Sequence, residues 1–170
     1  MITIKDLKNI ETYINNKWGR KSYKEINYCG LIPVSTDFIT YDSTPINVKT
    51  FAITEGNGVH FSQVLLNQSD ENIMPVVITV PMADKNIIIA ENLDEFLGLG
   101  YYNGWFSLEH LAYDIEDTLK YYSIPDPELT PQEYAFLQLL KDQLNIKHYN
   151  LTKERLNYLK DKYYNLIDFF

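Results

Sequence analysis

Apolar residues are concentrated in the middle of the chain, where hydrophobic segments follow one another at residues 59–66, 75–82 and 86–90. Each segment is rich in β-branched residues and bounded by turn formers, a pattern typical of strands buried on both faces or nearly so. Residues 47–55 predict a fourth strand, because their valine, threonine, phenylalanine and isoleucine residues favour extended backbone. The connecting loops are too short for crossover helices, so the sequence predicts an antiparallel meander sheet turned at Gly56-Asn57-Gly58.

Hydrophobic residues at helical spacing occur before and after this sheet. Thr3 is predicted to cap an N-terminal helix that continues to about Asn15, since apolar residues recur on one face of this stretch. Asn92 and Glu95 are predicted to cap a short helix that ends at Gly98, because glycine is common at helix ends. A central sheet covered by N-terminal and C-terminal helices indicates an α+β fold.

Three further helices are predicted in the C-terminal half. The first begins after Ser107 and ends at Pro125, with an apolar stripe that packs on the sheet. The stripe consists of Leu108, Leu111, Ile115 and Leu119. The second begins at Thr130, where a capping threonine, a proline and a glutamate favour a helix start. The third begins near Thr152. Residues 20–46 contain glycine and prolines that interrupt any long element, so only short extended pieces such as Asp37–Tyr41 are predicted there.

Length and composition predict one globular domain over residues 1–170, with 45% hydrophobic and 22% charged residues. Cys29 is the single cysteine, which excludes an intramolecular disulfide and a cysteine-based zinc cluster. The N-terminus lacks the apolar segment of a secretory signal, and no apolar run approaches the roughly 20 residues of a membrane span. The sequence therefore predicts a cytoplasmic protein that does not enter a membrane.

The net charge of −8 comes from the middle of the chain, because residues 51–130 contain 2 basic and 13 acidic residues. Many of these carboxylates form two groups that are predicted to face solvent. The first acidic cluster consists of Glu91, Asp94 and Glu95, and the second acidic cluster consists of Asp114, Glu116 and Asp117. Such a surface repels nucleic-acid phosphates and attracts basic proteins. It is either a functional acidic face or a solvated coat that keeps the protein soluble.

The histidines do not form a recognisable catalytic or metal-binding pattern. His60 lies within a predicted strand, on the face opposite its neighbours. His110 and Asp114 are four residues apart and are predicted to adjoin on one helix face, which suits either an ion pair or a catalytic pair. His148 lies in a polar segment, and no metal-binding spacing occurs. The sequence predicts a protein without enzymatic activity, metal or cofactor.

Aromatic residues divide into two predicted groups. Tyr134, Tyr158 and Tyr163 occur at helical spacing, which predicts core positions. Tyr101, Tyr102 and Trp105 are crowded into a glycine-containing bend, and they are candidate anchors for a protein partner because Tyr and Trp contribute strongly to interfaces.

Several short motifs between residues 56 and 114 resemble a bacterial branch of the SUKH superfamily, the group related to the yeast cell-wall synthesis regulator. The motifs are Gly58-Val59-His60-Phe61-Ser62, Pro75-Val76-Val77, Val80-Pro81-Met82, Asn92-Leu93-Asp94-Glu95-Phe96-Leu97-Gly98-Leu99-Gly100 and Gly104-Trp105-Phe106-Ser107-Leu108-Glu109. The stretch that contains these motifs spans about a third of the chain, and the motifs are structural rather than catalytic.

The resemblance implies a single α+β domain that binds other proteins. Many bacterial members of the superfamily are immunity proteins that neutralise a toxin, often a nuclease, from a polymorphic toxin system. The contact positions vary between members, so the resemblance assigns no binding residue. The leading hypothesis is a non-enzymatic immunity protein with a basic toxin as its partner. The alternatives are a regulatory scaffold with an endogenous protein partner and an enzyme with a pocket near His60 or His110.

Overall fold

The computed structural model describes residues 2–18, 27–34, 40–54, 56–66 and 74–169. The strands are β1 (Ile32–Pro33), β2 (Val48–Ile53), β3 (His60–Val64), β4 (Val76–Val80) and β5 (Lys85–Ala90). The α-helices are α1 (Ile4–Trp18), α2 (Leu93–Leu99), α3 (Ile115–Tyr122), α4 (Pro131–Leu144) and α5 (Lys153–Tyr163). Shorter 3₁₀ segments are Asn27–Gly30, Pro81–Ala83, Phe106–Ala112 and Tyr164–Leu166.

The five strands form one antiparallel sheet in the order β1-β2-β3-β4-β5, which confirms the predicted α+β fold with a meander sheet. Asn57 and Gly58 have φ angles of 51° and 72°, so the predicted turn uses the positive φ values that these residues tolerate. The two-residue strand β1 lies within residues 20–46, where the sequence predicted only short extended pieces. The predicted piece Asp37–Tyr41 lies partly outside the described residues, which omit 35–39. β4 ends at Val80 rather than at residue 82, because Pro81 begins a 3₁₀ turn.

Apolar side chains cover both faces of the sheet, which explains the nearly continuous hydrophobic strands. Neighbouring residues such as Val77 and Ile78 point to opposite faces, as the alternation of a strand requires. Ile78 belongs to the larger core, which also contains buried residues from all five α-helices. Val77 belongs to a smaller core, in which Leu159 and Tyr163 of α5 pack on the sheet. Helix α5 therefore covers one face of the sheet.

The prediction of one helix between Ser107 and Pro125 is wrong. The chain instead forms a 3₁₀ segment that ends at Ala112, and the separate helix α3 follows it. Asp114 has extended backbone (φ −141°, ψ 100°), and its side chain accepts a hydrogen bond from the backbone N–H of Asp117 at 3.0 Å. It is thus the N-cap of a new helix, since an N-cap residue leaves the helical conformation to accept such a bond. His110 and Asp114 consequently do not share one face of a continuous helix.

The interruption divides the predicted apolar stripe into a fully buried part and a partly exposed part. Leu108 and Leu111, in the 3₁₀ segment, are buried, with exposed fractions of 0% and 2%. Ile115, at the start of α3, is 40% exposed. Only the first half of the stripe is therefore fully buried.

Most predicted helix caps are confirmed. Thr130 and Glu133 form a complete capping box at α4, and Thr152 caps α5. At α2, Asn92 accepts a hydrogen bond from the backbone N–H of Glu95 at 2.9 Å, as expected. The predicted end of this helix at Gly98 is wrong, because α2 continues to Leu99.

Gly98 has a packing role instead. A Cβ atom at this position would lie 2.5 Å from the backbone oxygen of Lys147. The backbone N–H of Tyr149 donates a hydrogen bond to the Gly98 oxygen at 3.0 Å. The missing side chain therefore lets the segment that follows α4 pack directly on α2.

Candidate functional site

The first acidic cluster belongs largely to an internal network of ion pairs. The Arg155 guanidinium donates two hydrogen bonds of 2.8 Å to the Glu95 carboxylate and one of 2.7 Å to Glu91. The other Glu91 oxygen accepts hydrogen bonds from Lys162 at 2.8 Å and from the Tyr163 hydroxyl at 2.5 Å. This network joins the end of β5 and the start of α2 to helix α5.

The network holds Glu91 in its ionised form. Burial of Glu91 opposes ionisation, but hydrogen bonds from its three partners outweigh that effect and lower its pKa to about 2. The hydrogen bond to Glu95 raises the pKa of Arg155, and the hydrogen bond to Glu91 raises the pKa of Lys162. The prediction that Glu91 and Glu95 face solvent is wrong, because cations from α5 already pair with both carboxylates.

Asp94 is the exposed member of the first acidic cluster. Its carboxylate accepts a hydrogen bond from the backbone N–H of Ile2 at 3.0 Å. It also lines an open groove of about 820 Å³, the α2 groove, between the start of α1, the start of α2 and the segment after α4. Carboxylates such as Asp6 and Asp94 and the basic residues Lys147 and Arg155 line this groove, so its walls carry both signs of charge.

An aromatic group lies next to the α2 groove, and the sequence indicated only two of its members, Tyr101 and Tyr102. Tyr101 and Tyr102 are half-buried, with ring centroids 5.0 Å apart. The His148 ring lies 4.7 Å from Tyr102, and the Lys141 ammonium lies 4.1 Å from the Tyr101 centroid. His148 and Lys141 are distant in sequence from the two tyrosines, so no local pattern indicated this contact.

Trp105 is a core residue, and the prediction that it anchors a partner is wrong. It is 1% exposed, and its indole N–H donates a hydrogen bond to the Phe96 oxygen at 2.9 Å. A Cβ atom on Gly100 would lie 2.2 Å from the Trp105 ring, so the glycine-containing bend allows the indole to enter the core. The predicted core positions of Tyr134 and Tyr158 are also wrong, because these side chains are 57% and 45% exposed, whereas Tyr163 is buried as predicted.

The second acidic cluster lies on the surface. Asp114, Glu116 and Asp117 are all exposed. Glu116 pairs with Lys153 at 3.0 Å, but both side chains are exposed, by 81% and 59%, so water screens this ion pair. Tyr113 and Ile115 are 62% and 40% exposed and alternate with the acidic residues along the chain. Residues 106–128 contain six acidic residues and one lysine, a net charge of −5.

The side chain of His60 is part of the protein core. It is fully buried, and its ring nitrogens lie 3.1 Å from the Thr44 hydroxyl oxygen and 2.8 Å from the Gly58 carbonyl oxygen. Burial lowers the pKa of His60, so its neutral form is favoured.

His110 is exposed and lines a surface depression of about 350 Å³ together with Ser107, Asp114, Asp117, Thr118 and Tyr121.

Among the residues that the structure describes, no group of three or more histidine, cysteine, aspartate or glutamate side chains is arranged to hold a metal ion. Within the same ranges, no helix has the length and apolar character needed to cross a membrane. Searches against protein-family models, curated proteins and solved structures find no match to this chain.

Proposed function

We propose that this protein is a non-enzymatic binding domain that neutralises a basic protein, a toxin of the nuclease type, by covering it with the surface around the second acidic cluster. One observation carries the proposal. Asp114, Glu116 and Asp117 are exposed beside the exposed side chains of Tyr113 and Ile115. This surface combines negative charge with apolar contact area.

The chemistry of a nuclease makes it a suitable partner. A nuclease active site is electropositive because it holds phosphate groups, so a negatively charged surface is attracted to it and can block it. Exposed carboxylates mainly increase the rate of encounter, while aromatic and aliphatic side chains slow dissociation. Tyr113 would be the principal anchor on this surface, since tyrosine is enriched among residues that dominate binding energy. The resemblance to the SUKH superfamily supports the same class of partner.

The first test is co-purification with the product of the gene directly upstream, because an immunity gene is expected to follow its toxin gene. Binding should abolish the nuclease activity of that protein in a DNA- or RNA-cleavage assay. Failure to bind, or binding without inhibition, would contradict the proposal.

The second test locates the interface. The double variant Glu116→Gln/Asp117→Asn removes two exposed charges and keeps the Asp114 cap. We expect its association rate to fall about three- to tenfold at low salt, because the whole electrostatic field of a protein raises association rates by roughly 10- to 1,000-fold and these two carboxylates supply part of that field. The matched control is Asp142→Asn/Asp161→Asn, which removes two exposed carboxylates from α4 and α5. Equal association rates for the two double variants would exclude this surface.

A further inference from the structure

Two cavities adjoin the first turn of helix α3. One is a groove of about 280 Å³, the apolar groove, between β5, the 3₁₀ segment, α3 and α5. The other is the surface depression of about 350 Å³ that His110 lines, the His110 depression. The two cavities share no lining residue, but the neighbouring residues Asp114 and Ile115 line one each. A partner that covers the second acidic cluster therefore reaches both cavities.

The apolar groove suits an uncharged side chain of a partner. Its most exposed apolar residues are Ile115 and Tyr164, at 40% and 38%. Apolar cavities of about 150 Å³ hold benzene in other proteins, so this groove has room for an aromatic or large aliphatic side chain. Side chains that enter such pockets are typical binding hot spots. The apolar residues that line the groove are Ile87, Ile88, Leu111, Ile115, Leu156 and Tyr164.

Two lysines also line the apolar groove, but the charges around it have both signs. The Lys85 ammonium donates a hydrogen bond to the Ala112 oxygen at 2.5 Å. Lys160 is exposed on the α5 side. On the α3 side, Ile115 lies between the exposed carboxylates of residues 114 and 116. Neither sign of charge dominates, so the apolar lining decides which occupant the groove favours.

The His110 depression suits a cationic side chain. Asp114 and Asp117 both line it, and both are exposed. One Asp114 oxygen accepts the capping hydrogen bond from the Asp117 backbone at 3.0 Å. Within the described ranges, no ion pair involves either carboxylate. Arginine matches this arrangement best, because its planar guanidinium presents five N–H donors and can bind two carboxylates together.

We propose that the partner inserts an apolar side chain into the apolar groove and an arginine into the His110 depression, so that it spans the first turn of α3. This inference rests on the proposed function and specifies which residues of a basic partner make the contact. The apolar side chain slows dissociation, and the arginine fixes the position of the partner on the acidic surface.

Two neighbouring carboxylates test the arginine site in the complex with the product of the upstream gene. Asp117 lines the His110 depression, whereas Glu116 lies outside it and pairs with Lys153. Asp117→Asn should increase the dissociation rate about tenfold or more, because a hydrogen bond between charged groups is lost. Glu116→Gln removes the same charge and should increase it less than about threefold. Equal dissociation rates in the two variants would overturn the arginine site.

A groove-filling variant tests the apolar site in the same complex. Asn157 is exposed on α5 and lines the apolar groove. Asn157→Phe occupies the groove with its own ring, so the dissociation rate should rise about tenfold or more although apolar surface is added. The matched control is Asn150→Phe, at an exposed position that lines neither cavity, and it should dissociate like wild type. Equal rates in the two variants would overturn the apolar site.

A titration without the partner separates failure of this inference from failure of the proposed function. Nitrogen-15-labelled protein is titrated with N-acetylargininamide and, separately, with N-acetylleucinamide at millimolar concentration. The arginine probe should shift amide signals of the His110 depression, and Asp117→Asn should weaken this effect. The leucine probe should shift signals of the apolar groove, and Asn157→Phe should weaken it. These shifts without binding of the upstream product would refute the proposed function alone. Inhibition of that product, with no shift at either cavity, would refute this inference alone.

Discussion

Two acidic clusters of similar sequence have opposite environments in this fold. Glu91 and Glu95, at the start of α2, accept hydrogen bonds from Arg155, and Glu91 also pairs with Lys162. Asp114 and Asp117, at the start of α3, are exposed. In the described part of the chain their cluster makes one ion pair, between Glu116 and Lys153, and this pair is open to solvent. The first cluster thus links the start of α2 to α5, whereas the second faces solvent.

The comparison shows why charge patterns in a sequence do not by themselves identify a binding surface. Both clusters consist of carboxylates at a helix start, where they suit the helix dipole. The difference depends on where α5 docks, because Arg155 follows Glu95 by 60 residues. Removing the half-buried cationic partner of a carboxylate destabilises a protein, whereas an exposed carboxylate contributes mainly to the electrostatic field around the protein.

The largest loss of stability is expected for residues that attach the second acidic cluster to the core. Leu111→Ala should lower the free energy of unfolding by about 2–5 kcal/mol, because it leaves a cavity under the 3₁₀ segment. Ile115→Ala, on the exposed side of the interruption, should cost less than about 1 kcal/mol. Urea denaturation of both variants measures the difference, and equal losses would mean that the stripe is continuous.

Removing the basic residue that pairs with each acidic cluster tests whether the two clusters differ in their contribution to stability. Arg155→Met keeps most of the side-chain volume but leaves Glu91 and Glu95 without their shared partner, and we expect a loss of about 3 kcal/mol. Lys153→Met breaks the exposed ion pair with Glu116 and should change stability by no more than about 0.5 kcal/mol. Similar losses in the two variants, measured by denaturant unfolding, would contradict the difference between the clusters.

The lowered pKa of Glu91 predicts how acid affects the first cluster. Because its pKa falls from an ordinary value of 4.5 to about 2 on folding, ionised Glu91 stabilises the protein above pH 4.5. That contribution is lost as the pH falls from about 4.5 towards 2. Wild type should therefore be more stable than Glu91→Gln at neutral pH, and the gap should narrow near pH 3. A gap that is independent of pH would show that Glu91 is not held ionised by its partners.

Asp114 allows capping and charge to be separated within the second cluster. Asp114→Asn keeps a good N-cap and removes the charge, so its stability should change by less than about 0.5 kcal/mol. Asp114→Ala also removes the hydrogen bond to the Asp117 backbone and should cost about 1 kcal/mol. Thermal unfolding of both variants distinguishes the two roles, and equal losses would assign the effect of Asp114 to its charge.

The smallest expected effect is on the rate at which the protein associates with its partner. If the second acidic cluster steers a basic partner, raising the ionic strength should slow association more than it accelerates dissociation. The slope of association rate against ionic strength should be shallower for Glu116→Gln/Asp117→Asn than for wild type. Stopped-flow measurements with the identified partner provide this comparison. A flat dependence in both proteins would remove electrostatic steering from the proposed function.

The sequence alone determined the features that depend on residues close together in the chain. The positive φ angles at Asn57 and Gly58, the capping box at Thr130 and the short connections of the meander all follow from local backbone chemistry. Runs of β-branched and apolar residues bounded by turn formers also predicted which segments form strands, although β1 was missed because two residues are too few for a pattern.

The tertiary structure alone decided which predicted surface residues remain on the surface. Trp105 is buried because Gly100 leaves space for its ring, and Glu91 is paired because α5 brings Arg155 and Lys162 to it. The position of β5 as the last strand of the sheet likewise depends on the order in which the strands assemble. These outcomes arise from contacts between docked elements, and residue spacing within one element does not specify where another element will dock.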